Sequence, residues 1–165
     1  MRARDRGVEA GAGADHGLAH GIVGIGDALE IPPATLDEAV NAAGRAHGAK
    51  AARMLQRFAE LPDDTFVWTR ASSGAFHLGQ IAGPWRYDDE PEARAVGIHH
   101  VRPATWLDRP FGPDEVPAAV SDTFARGGRN LQRTHGEQAE RRTGELWNAG
   151  VHDGGSHHAK ECSDV

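Results

Sequence analysis

The sequence predicts an α+β domain with a small, curved, mostly antiparallel and barrel-like sheet flanked by helices. A capping signal followed by an apolar stripe places a helix after residue 35. From residue 66 onward, β-type runs follow one another with turn residues and no helix between them, which excludes a parallel α/β arrangement. A short glycine-punctuated apolar run precedes the helix and supplies one more strand.

Residues 1–17, MRARDRGVEAGAGADHG, are Gly, Ala and charge without periodicity, so a disordered N-terminal segment is expected. LAHGIVGIG, 18–26, reads as a buried strand and turn. Its G-x-x-G-x-G spacing lacks the closing glycine of a dinucleotide loop, because Leu29 stands there. Thr35 and Glu38 then form a capping box, and Pro32 and Pro33 prevent an earlier start. Leu36, Val40, Ala43, His47, Ala51, Met54, Phe58 and Leu61 recur at helical spacing, predicting one helix to about Glu60 with Gly44 and Gly48 weakening its middle.

FVWTR alternates, with Phe66, Trp68 and Arg70 on one face and Val67 and Thr69 on the other. ASSG is a turn, AFHLGQI the returning strand, and GPW its end. WRYDDEPEARAVG is a loop or edge strand, and IHHVRPATWL is a third strand carrying Arg102 and Trp106. A short helix is expected near 117–125, then a strand in FARGGRNLQRTH after the Gly127-Gly128 turn. The folded domain is therefore 18–147, and 148–165 is a flexible, histidine-containing tail.

The 165 residues suit one domain with a modest core, at 39% hydrophobic and 6% aromatic residues. A net charge of −6 argues against a broad basic face for polyanions, but not against a pocket with a local basic patch. Cys162 is the single cysteine, so no internal disulfide forms and a cytoplasmic location is expected. No apolar run approaches the ~18 residues of a membrane span, so no membrane partner is expected.

The set GIVGIG, LPDDTFVWTR, GAFHLGQIAGPWRY, HHVRPATW, VPAAV and FARGGRNLQR, in this order over about 20–135, resembles the EVE/PUA-like domain family. That family is related to YTH and ASCH domains and to restriction-associated readers of modified bases in bacteria. The chain departs from the family pattern at Asp64-Thr65, at Phe76-His77 and at Ala118. The resemblance implies a small β-barrel that holds a nucleobase, in modified form, within an aromatic-lined pocket on DNA or RNA. It also implies a partner effector, such as a nuclease or helicase, in a defence or regulatory system.

By that resemblance, Trp68 and Arg70 match the W-T-R strand, Trp85 and Tyr87 the W-x-Y segment, and Arg102 and Trp106 the V-R-P-x-x-W strand. The chemistry agrees with such a role. Tryptophans and tyrosine offer stacking surfaces, each stacked base being worth roughly 1–3 kcal/mol. Arg70 and Arg102 suit phosphate or stack as planar cations. In RGGRNLQR, Arg129 and Arg133 suit phosphate, while the amides of Asn130 and Gln132 suit a base edge. Each group also has a structural reading: barrel core for the tryptophans, exposed charge for the arginines, and a hairpin turn with a solvated helix for the basic stretch.

No cofactor and no metal site is expected. His99 and His100 are adjacent and point to opposite faces of a strand, and His152, His157, His158 and Cys162 lie in the tail. The chain has no G-x-S-x-G, H-E-x-x-H or P-loop, so catalysis is not its expected task. The alternatives are an ASCH-like ribonuclease using His77, Arg70 and Tyr87, and a protein-interaction or small-ligand module.

Overall fold

The computed structural model describes residues 1, 7–127, 131–134 and 136–155. Its fold is α+β. The strands are β1 (Ile22–Ile25), β2 (Phe66–Arg70), β3 (Phe76–Ile81), β4 (Arg86–Tyr87) and β5 (His100–Trp106). The helices are α1 (Ala12–His20), α2 (Leu36–His47), α3 (Ala49–Glu60), α4 (Pro91–Val96), α5 (Ala118–Ala125) and α6 (Glu137–Gly155).

All strand pairs are antiparallel, in the order β1-β5-β3-β2, with β4 also on β5. β5 is the hub, because His100–Pro103 pair with β1 while Ala104–Trp106 pair with β3. The sheet curls into a half-barrel, and two glycines permit close approaches within it. A Cβ at Gly79 would stand 2.5 Å from the Trp106 ring, and one at Gly24 2.5 Å from Ile98. A larger residue at either position would need its neighbour to move.

Strand register sorts the side chains between two cores. Val67, Gly79 and Trp106 lie opposite one another in one row and share a face, whereas Trp68 pairs with Leu78 on the other. The first face meets α2 and α3 through Ile81, Ala104, Ala39, Ala43, Leu55 and Phe58. The second meets α5 and α6 through Phe76, Leu78, Leu107, Phe111, Val120 and Leu146.

Several expected elements differ, and the segment after β4, expected to be a loop or edge strand, forms the helix α4 at Pro91–Val96. The long helix is two, divided at Gly48, whose φ of 90° places the break where only glycine is unstrained. The halves pack against each other, with Gly44 against Ala52, so the two weak glycines of the sequence make a helical hairpin. The capping box itself forms, Thr35 Oγ1 accepting from the Glu38 N–H. Residues 12–17, expected to be disordered, lie in α1, and residues 148–155, expected to belong to the tail, continue α6. No strand forms in the described part of FARGGRNLQRTH. Among the described residues no helix is long and apolar enough to cross a membrane.

Arg102 locks these layers together. Its side chain is 4% exposed, and Nε donates to the Gly83 carbonyl at 2.8 Å. Nη1 donates to the carbonyls of Phe58, Ala59 and Leu61. These oxygens sit where α3 ends and lack helical donors. Nη2 reaches Asp63 Oδ1 at 2.8 Å. The expectation that Arg102 meets phosphate is corrected on this ground, since its donors are taken up by the protein. Arg102→Met should lower unfolding free energy by about 2–4 kcal/mol in urea titration, because it strands buried carbonyls without donors.

Candidate functional site

A cleft of about 1200 Å³ opens between the two outer strands of the half-barrel. β1 contributes Val23 to Ile25, β2 contributes all five of its residues, and the end of α3 contributes Arg57, Phe58 and Glu60. Leu131 to Thr134 and Ala139, Glu140 and Thr143 of α6 complete the lining. The cleft exists because β2 pairs only with β3, so its other edge carries backbone donors and acceptors unpaired by any strand among the described residues.

Trp68 stands half-buried at this edge. Its Nε1–H donates to Thr143 Oγ1 at 3.1 Å, and its ring meets Phe111 edge-on at 5.4 Å. These contacts fix the indole plane from the α6 side. Arg70 is exposed, with Nε on the Gly74 carbonyl at 3.2 Å and the guanidinium 5.6 Å from the Phe76 ring. Gln132 and Arg133 are exposed, and Arg57 adds a third arginine to the lining. Glu60, Asp64 and Glu140 balance the arginines, so the cleft has local charge and no uniform sign.

The structure therefore brings together Trp68, Arg70, Gln132 and Arg133. It does not bring Trp106 to them. That indole lies over Gly79 on the other face and donates to the Ile22 carbonyl at 3.3 Å, so Trp68 and Trp106 are not two walls of one slot. Arg102 is buried beneath the sheet, as described above. Asn130 and Arg129 lie outside the described residues. The three residues of the ribonuclease alternative are also apart. His77 lines a separate cavity of about 330 Å³ with Leu18 and Trp106, and strand alternation points it away from the face of Arg70.

Trp85 and Tyr87 belong to a different cluster. Trp85 stacks on His100 at 6.0 Å and Tyr87 on His99 at 5.5 Å. The Tyr87 hydroxyl accepts from the Leu29 N–H at 2.9 Å. His100 Nε2 donates to the Asp27 carbonyl at 3.0 Å, which leaves Nδ1 to accept from Trp85 Nε1–H at 3.4 Å. Both ring nitrogens are satisfied in the neutral form only. Burial lowers the His100 pKa to about 4, against the upward pull of the Asp27 carbonyl. The cluster ties the 27–29 turn to the sheet and is built as core.

The sequence did not single out Arg57 or Thr143. Arg57 was findable as the exposed flank of the α3 stripe. Thr143 was not, because its role as the acceptor for Trp68 depends on how α6 crosses β2. No protein-family model, curated protein or solved structure matches the chain, so fold and cleft geometry are the grounds for a function.

His100 gives the core a pH dependence of defined sign. The unfolded imidazole takes its proton near pH 6.5 and the folded one near 4. Between those values the unfolded chain binds more protons, so stability falls as pH falls. His100→Gln should remove roughly 2 kcal/mol of the stability difference between pH 7 and pH 5, read from urea midpoints at each pH.

Proposed function

We propose that the chain is a nucleic-acid-binding module that receives one unpaired base of DNA or RNA, a modified base, in the cleft between β1 and β2. The observation that carries this reading is the placement of an immobilised tryptophan on an open strand edge beside arginines and an amide. Trp68 supplies the stacking plane. The edge of β2 that no strand pairs among the described residues, with the Gln132 amide, supplies donors and acceptors for the base edge. Arg57, Arg70 and Arg133 take the flanking phosphates. The carboxylates around the same cleft disfavour a long run of phosphates, in keeping with a net charge of −6. Selectivity then resides in the base and its modification. Action on the bound strand falls to a partner effector, a nuclease or a helicase.

The test is binding to matched single-stranded oligonucleotides with and without base modifications, at low and physiological salt. A preference for one modification that persists at physiological salt is the expected result. Trp68→Ala, checked for folding by its thermal melt, should weaken that binding about 5- to 150-fold, the equivalent of one stacked base. Arg133→Ala, an exposed change, should weaken all sequences alike and flatten the salt dependence. Equal binding by folded Trp68→Ala and wild type would remove the stacking role and the proposal with it.

A further inference from the structure

α1 carries His16 and His20 one helical turn apart, on the same side of the helix. Glu92, in the first turn of α4, meets them there, with Glu92 Oε2 3.0 Å from His20 Nε2. One ligand atom from each of the three side chains lies within 4.8 Å of the others. The imidazoles face each other at 4.2 Å between centroids.

Two features of this cluster are unusual for a surface ion pair. His20 Nδ1 donates to the His16 carbonyl at 2.9 Å. That bond fixes the tautomer and turns the Nε2 lone pair toward Glu92, the outer-shell arrangement that metal-binding histidines use. His16 Nε2 is buried from solvent and has no hydrogen-bond partner, the one such side-chain atom among the described residues. A proton on His20 would account for its contact with Glu92 alone, and it would leave His16 Nε2 unsatisfied.

We propose that His16, His20 and Glu92 bind a Zn²⁺ ion through two imidazole nitrogens and one carboxylate oxygen. Tetrahedral zinc bonds of 2.0–2.2 Å place donor atoms about 3.4 Å apart, between the 3.0 Å of His20 Nε2 to Glu92 Oε2 and the 4.8 Å within which all three ligand atoms lie. Two histidines and a carboxylate fill three positions and leave a fourth for water. His20 and Glu92 have side chains 47% and 74% exposed, so the ion enters directly from solvent.

The ion would clip α1 to α4. The same helix holds the β2–β3 turn from its other side, where Asp15 accepts from the backbone N–H of Ser72 and from its hydroxyl. This site is independent of base binding in the cleft.

The experiment is Zn²⁺ titration of the full chain by calorimetry and thermal melting, with metal-free protein as reference. One equivalent should bind, and the melting midpoint should rise by about 3–6 °C at roughly ten times the dissociation constant. His20→Ala and, independently, Glu92→Gln should melt like the metal-free wild type and lose the zinc-dependent rise. His157→Ala/His158→Ala, altering residues outside the described set, should retain it. Co²⁺ bound at the site should show the visible absorption of tetrahedral coordination in wild type and not in His20→Ala. No rise in wild type, a rise undiminished in both site variants, or a rise lost only in the tail variant would overturn the assignment and leave an adventitious ion only.

Discussion

A single buried guanidinium sets the geometry on which the rest of the domain depends. Arg102 projects from β5, the strand that pairs with three others, and its donors collect the last carbonyls of α3, the Gly83 oxygen and Asp63. A helix end is a cluster of orphan acceptors that water ordinarily satisfies. Here a side chain from the sheet satisfies them, so the end of α3 cannot shift without breaking several charge-assisted bonds together. The chain leaves that anchor through Pro62 and Asp63 and enters β2 at Phe66. The position of β2, and therefore the width of the opening beside it, is inherited from Arg102.

The half-barrel divides its aromatic residues between two tasks. On one side Trp106 lies flat on Gly79 and Trp85 and Tyr87 stack on histidines, filling space between sheet, turn and helical hairpin. On the other, Trp68 is held by Thr143 and Phe111 yet remains on the edge strand. Register across β2, β3 and β5 separates Trp68 from Trp106, which lie in neighbouring rows that face opposite ways. The chain thus keeps an aromatic surface at an opening while spending most of its scarce aromatics on packing.

Local rules carried the sequence far in some places and failed in others for identifiable reasons. The Thr35–Glu38 cap, the alternation of FVWTR and the strand carrying Arg102 and Trp106 are set by nearest neighbours, and they were legible. The division of the helix at Gly48 was visible only as weakness, since a glycine signals freedom without saying which way the chain turns. Arg102 read as a surface arginine because nothing local reveals that its strand passes beneath a helix end. α1 was missed because Gly-rich sequence has low helix propensity, and its helicity comes from packing Gly13, Ala14 and Gly17 against the fold. With the helix went the pairing of His16 and His20, which meet Glu92 only once the segment is wound. Trp68 and Arg70 were assigned to one face correctly, but joining Trp106 to them required the register across three strands.

The open edge of β2 has a colloidal consequence as well. A row of unpaired peptide groups templates pairing with any other extended chain, including a second copy of the same strand, and such edges seed aggregation in crowded solutions. This edge is only five residues long, carries a charged residue at its end in Arg70, and shares its cleft with residues 131–134. Brevity, charge and cover are the means by which sheet proteins discourage such pairing. The edge is thereby a poor template for a second extended chain.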